Sequence, residues 1–466
     1  MLLRTVIGLI IIVLLIPAHA GAIVNPLETP NNRFGIHIVD EHDLVDAANL
    51  VNGNGGAWGY IAMVITEDDR DPDKWQRTFD RMRELRLIPM IRLATRPAGD
   101  HWEKPSTDDA KEWADFLDGL NWVIQNRYVI LFNEPNHAKE WGNDLNPEEY
   151  AAVAHSFITE LKEHSDDFFI LPAGFDQAAN NTLDTMSLDR YFQRMYEADK
   201  ELFSRFDGWT SHSYPNPHFS GSIQAQGRQS IRGYEWELAV LESRGMRKDI
   251  PVFITETGWA HAEGVAYNPR YQSAEEVTEK YETAFSSVWD DPRIVMVAPF
   301  ILNYQSPPFD HFSWKKLGTD EYYPVYERIL GIQKVRGTPM QIDNATLATD
   351  TIPPVLLTNG RYHLPIVVRN TGQVLWETDN GWQLVVAGSS YPRYTASLPP
   401  LMPGQETTIP LPFAAPDTEG VAAFVLGLLR DGELVATSSP VYVTVKYPSN
   451  PWIRFSVLIR KLLEDG

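Results

Sequence analysis

Two textures of hydrophobic patterning divide the chain. From Phe34 to about Leu330, short unbroken apolar runs alternate with amphipathic stretches. The runs are Phe34–Val39, Trp58–Ile65, Ile88–Ala94, Tyr128–Phe132, Phe168–Ala173, Gly208–Ser213, Val252–Thr255 and Ile294–Leu302. Runs of this length without polar alternation predict parallel strands buried on both faces. Between them, Lys74–Leu85 and Asp109–Ile124 have the apolar spacing of helices, the second through Trp113, Phe116, Leu117 and Leu120. Asn146-Pro147-Glu148-Glu149 predicts a helix start, with an N-cap, a proline at the first helical position and acidic residues in the first turn. Ser273 and Glu276 have the spacing of a capping box.

Eight such strands alternating with helices predict an α/β fold, a (β/α)8 TIM barrel over residues 30–336. A doubly wound open sheet has the same alternation. However, no Gly-x-Gly-x-x-Gly follows the first strand, and Asn52-Gly53-Asn54-Gly55-Gly56 precedes the second as a turn. After Arg336 the texture changes to period-two alternation and turn residues, as in "YHLPIVVRN", "GWQLVVAG" and "PVYVTVK". Residues 340–447 therefore predict a smaller all-β, immunoglobulin-like sandwich of six or seven strands, running on from the barrel without a flexible linker. Residues 450–466, "PWIRFSVLIRKLLEDG" from Pro451, form a short amphipathic segment expected to pack on that sandwich.

The first twenty residues read as a secretory signal. Arg4 precedes an apolar run from Val6 to Ile16, shorter than a bilayer span, and Ala18-His19-Ala20 fits the small-x-small cleavage pattern. The expected location is secreted or extracytoplasmic. An uncleaved segment would instead tether the chain to a membrane. Composition then narrows the chemistry. The net charge of −22 argues against nucleic acid as a partner. With no cysteine, disulfides, thiolate nucleophiles and cysteine metal sites are excluded. The twelve histidines show no metal-ligand spacing, so neither metal nor cofactor is expected.

Two glutamates end apolar strands where a buried strand has no structural use for a carboxylate. Glu134 follows the fourth in "VILFNEPNH", and Glu256 ends the seventh in "PVFITETGW". In a closed barrel, strands four and seven face each other across the mouth. Opposed carboxylates are what glycosidic cleavage requires, one to protonate the leaving oxygen and one to attack or stabilise the anomeric carbon.

"FNEPN" and "ITETGW", in that strand order, resemble the clan A retaining β-glycoside hydrolases over residues 30–335. The resemblance implies retention, with Glu134 as general acid/base and Glu256 as nucleophile. It implies that Asn133 hydrogen-bonds the sugar 2-hydroxyl and that His212 and Tyr214, in "HSYP", steady the nucleophile. Arg92 is a further candidate nucleophile partner, although the clan usually places its arginine on the second strand. Many members end strand eight with tryptophan; here "APFILNYQ" offers Phe300 or Tyr304, or Trp314 from the loop beyond. His37, ending strand one, is a candidate sugar contact. Trp141, Trp259 and Trp314 are candidate stacking faces. The expected function is retaining hydrolysis of O-glycosidic bonds in a β-linked carbohydrate. A barrel that binds carbohydrate without turnover would lack one of the two glutamates, and both are present; a transglycosylase would share every residue named.

Overall fold

The computed structural model describes residues 23–378, 381–387 and 394–449, so the expected signal segment and C-terminal amphipathic segment lie outside them. All eight expected parallel strands form: β1 Gly35–His37, β2 Gly59–Thr66, β3 Leu87–Ala94, β4 Arg127–Ile130, β5 Phe168–Leu171, β6 Trp209–His212, β7 Val252–Thr257 and β8 Ile294–Pro299. Strands β1 to β5 make one parallel sheet in sequence order, and β6, β7 and β8 make another. The sheets meet at both edges. On one side Phe34 bridges Val297, and Leu302 N donates to His37 O at 3.0 Å. On the other, Asp207 N donates to Ile170 O at 3.0 Å and Asp176 bridges His212. Strands β7 and β8 are buried along their whole length, as unbroken apolar runs require.

Eight main helices follow the strands: α1 Leu44–Asn52, α2 Pro72–Glu84, α3 Asp109–Asp118, α4 Pro147–His164, α5 Leu188–Ala198, α6 Gly233–Glu242, α7 Ala274–Thr283 and α8 Pro324–Leu330. The start signals act as expected. Asn146 accepts from Glu149 N with Pro147 at the first turn of α4, and Ser273 with Glu276 closes a capping box on α7. On α2 the buried Trp75, Thr78, Phe79 and Met82 recur at helical spacing and form its inner face.

One expected helix is too long. The pattern predicts α3 to Ile124, but it ends at Asp118. The chain then runs irregularly into β4 because α2 holds it there: Gln76 Oε1 accepts from Asn121 N at 2.8 Å, and Arg83 Nη2 donates to Asn121 O at 2.9 Å. Leu120, Trp122, Val123 and Ile124 are still buried, so burial preserved the apolar pattern without the helix.

From residue 345 onward every described element is a strand. Nine form two sheets, where six or seven were expected. One sheet pairs Ala345–Ala348, Arg361–Asn370 and Glu406–Ala414; the other is built around Gly420–Arg430 and Val441–Lys446. Inward positions such as Leu364, Ile366, Leu411 and Leu426 form a core separate from the first. This unit meets the segment that enters β4. Gln373 Nε2 donates to Ile124 O at 2.9 Å, and Gln341 Nε2 to Val123 O at 2.8 Å. These contacts stand at the opposite end of β4 from Glu134.

Candidate active site

Beyond β4 the backbone departs from strand geometry. Phe132 has φ of +71° and Glu134 of +30°, and Glu134 N donates to Gly174 O at 3.0 Å. Left-handed backbone at two side-chain-bearing residues is costly and concentrates where a side chain must be aimed. Here it aims Glu134 toward the end of β6. His212 Nδ1 lies 2.8 Å from Glu134 Oε1. It lies 3.7 Å from Glu256 Oε2, and the register pairs His212 directly with Glu256 between β6 and β7. One carboxylate oxygen of each glutamate and His212 Nδ1 all fall within 4.8 Å of one another.

Glu256 is held on both oxygens. Arg92 Nη1, from β3, lies 3.2 Å from Oε1, and the Tyr214 hydroxyl donates to Oε2 at 3.1 Å. Burial alone would push this carboxyl up, but His212, His37, Arg92 and Tyr214 outweigh it and hold the pKa below its ordinary value. His212 shows the converse balance. Burial pulls its pKa down, while the Glu256 and Glu134 carboxylates more than restore it. His37 stays neutral near pH 7: burial dominates and lowers its pKa to about 4, while its Nε2 lies 2.6 Å from Thr255 O. The ring of Phe300, at the end of β8, meets that of His37 edge-on at 5.6 Å.

The structure thus gathers Glu134, Glu256, Arg92, Asn133, His37, His212 and Tyr214 at one end of the strands. His212, expected beside the nucleophile, is closer to Glu134. Three tryptophans offered as stacking faces are core residues. Trp259 is 1% exposed and packs on Tyr281 and Trp289; Trp314 is 2% exposed and packs on the same Tyr281. Trp141 is also buried, against Phe132 and Tyr150. Tyr214, whose hydroxyl reaches Glu256, belongs to an aromatic cluster with Phe219, Phe300 and Tyr304 packed against Phe312, Ala260 and Ile301.

Sequence reading missed three polar residues. Glu140 Oε2 accepts from Asn133 Nδ2 at 3.3 Å. His137 Nε2 and Asp176 Oδ2 lie 2.8 Å apart, on the loops after β4 and β5. For Asp176 and Glu140, no local pattern separates them from other loop acids; His137 stands three residues after Glu134. Glu134, His212 and Glu256 also form the group with metal-ligand spacing among the described residues. The His212–Glu134 hydrogen bond and the Arg92 guanidinium on Glu256 account for that closeness without a cation.

No family model and no curated protein matches this sequence. Solved structures do. A GH128 (subgroup II) endo-β-1,3-glucanase from Pseudomonas viridiflava aligns over 65% of this chain and 98% of its own, at 13% identity and a TM-score of 0.42. XacCel5A in complex with cellopentaose aligns over 64% and 98%, at 12% identity and a TM-score of 0.41. A Bacteroides uniformis β-glucuronidase aligns over 90% of this chain and 46% of its own, at 12% identity and a TM-score of 0.42. The chain spans about half the length of that β-glucuronidase.

Proposed function

We propose that this chain is an exported retaining glycoside hydrolase. In this reading a (β/α)8 barrel at residues 30–336 cleaves β-linked O-glycosidic bonds, and residues 340–447 are an appended immunoglobulin-like sandwich. One observation carries the proposal: two glutamates from the ends of β4 and β7 bring a carboxylate oxygen of each within 4.8 Å. Retaining enzymes hold their carboxyl groups about 5–5.5 Å apart, and inverting enzymes about 6.5–9.5 Å, to admit a water. The close approach of the nearest oxygens supports double displacement, and the full carboxyl-to-carboxyl separation is its check. The apolar run from Val6 and the Ala18-His19-Ala20 site support export.

The chemistry follows from the partners. Glu256, kept ionised by His212, Arg92 and Tyr214, attacks the anomeric carbon. The bond to the leaving oxygen breaks, and that oxygen takes the proton of Glu134. Glu134 then removes a proton from water. The water oxygen displaces Glu256 from the anomeric carbon, restoring both carboxyl groups. His212 fixes the Glu134 carboxyl through Nδ1. The test is chemical rescue. Glu134→Ala should still form the glycosyl-enzyme from an aryl glycoside whose leaving group needs no proton, and azide should restore turnover as a glycosyl azide. Normal hydrolysis of unactivated glycans by Glu134→Ala would refute the assignment.

A further inference from the structure

Resting on the reading of Glu134 and Glu256 as the reacting pair, we infer that Glu140 is a positioning residue that sets the Asn133 amide for the sugar 2-hydroxyl. An asparagine amide presents a carbonyl at one end and two N–H donors at the other, and its partners decide which end faces which way. Here both ends are claimed. Arg92 Nη1 donates to Asn133 Oδ1, while Asn133 Nδ2 donates to Glu140 Oε2 at 3.3 Å. A flipped amide would set the Arg92 N–H against an NH2 group and the Glu140 carboxylate against a carbonyl, so both contacts would turn repulsive together. One Nδ2 hydrogen remains for a ligand.

That hydrogen belongs to a residue tied to both reacting groups. Asn133 is joined by a peptide bond to Glu134, and it shares the Arg92 guanidinium with Glu256. A hydrogen bond to the sugar 2-hydroxyl strengthens as the oxocarbenium-like transition state forms, so a donor held in one orientation acts on rate. Glu140 suits this task more than that of a surface anchor. It forms no ion pair among the described residues and is half-buried. It lines a crevice with Arg92, Thr95, Trp102, Phe132 and Asn133. Burial, then the nearby Glu134, pushes its carboxyl up, and Arg92 with the Asn133 hydrogen bond opposes them.

The experiment compares kcat/KM on an aryl β-glycoside with that on its 2-deoxy analogue, in wild type, Glu140→Leu and Glu140→Gln. The ratio of the two values is taken within each variant, so any loss of folded enzyme cancels. Losing the charged acceptor should lower that ratio about tenfold in Glu140→Leu. Glu140→Gln keeps an acceptor oxygen and should stay within about threefold of wild type. A wild-type ratio in Glu140→Leu, with turnover intact, overturns the inference and leaves the glycosidase reading standing. A wild type that turns over no β-glycoside in a broad panel overturns that reading and the inference with it.

Discussion

Gly174 lies against His212, the residue that ties Glu134 in place. A Cβ added there would stand 2.1 Å from both Cδ2 and Nε2 of His212. Ordinary carbon contacts begin near 3.5 Å, so the imidazole in Gly174→Ala would have to move by roughly 1.4 Å. It has little room, because His212 is 3% exposed and its Nδ1 is committed to Glu134 at 2.8 Å. The other tie is also local: Gly174 O accepts from Glu134 N at 3.0 Å. Overpacking of this kind costs about 1–3 kcal/mol of stability. A displacement of about 1 Å at a reacting group costs on the order of 100-fold in rate. We therefore expect Gly174→Ala to remain folded and melt somewhat lower, with kcat/KM on unactivated glycans reduced about 100-fold. On aryl glycosides with acidic leaving groups the loss should be smaller, since those depend less on a proton from Glu134. Steady-state kinetics across a series of leaving groups reads this directly. If Gly174→Ala matches wild type across the series, His212 does not position the acid/base and that part of the mechanism is wrong.

Two further predictions address stability and the second unit. His37, with its pKa lowered to about 4 against 6.5 when unfolded, makes the unfolded chain bind more protons between those values. Its contribution is therefore intact above pH 6.5 and lost as pH falls toward 4, on the order of 3 kcal/mol in all. Denaturant titrations of wild type and His37→Asn should diverge over that window, and parallel curves would refute the assignment. The chain truncated after Met340 should keep turnover on small aryl glycosides but melt lower, because Val123 O and Ile124 O lose donors worth about 1 kcal/mol each. A folded but wholly inactive truncation would mean that the second unit contributes to the site.

Much of the fold was legible because burial acts on the chain locally. Strands covered on both faces must be continuously apolar, and helix ends need donors and acceptors close in sequence, so β1 to β8 and the caps at Asn146 and Ser273 could be read directly. The end of α3 could not, since it depends on Gln76 and Arg83, more than thirty residues away. The two glutamates stood out as carboxylates closing apolar strands. The direction of Trp259 did not. Gly258, at φ of +143°, turns the chain so that the indole packs on Tyr281, and a Cβ on Gly258 would meet the Tyr281 hydroxyl at 2.1 Å. Glu140 was hidden for a similar reason. Its role depends on Asn133 and Arg92, brought together only by the pairing of β3 with β4.

Trapping the glycosyl-enzyme tests directly whether Glu256 is the nucleophile. Incubation with an activated 2-deoxy-2-fluoro β-glycoside, followed by intact-mass measurement and peptide sequencing, reports whether a covalent sugar forms and on which residue. One added sugar per chain is expected, attached to Glu256 and absent in Glu256→Ala. Labelling of Glu134 or another residue, or turnover of the fluoro-sugar to a product of inverted anomeric configuration with no adduct, would contradict it.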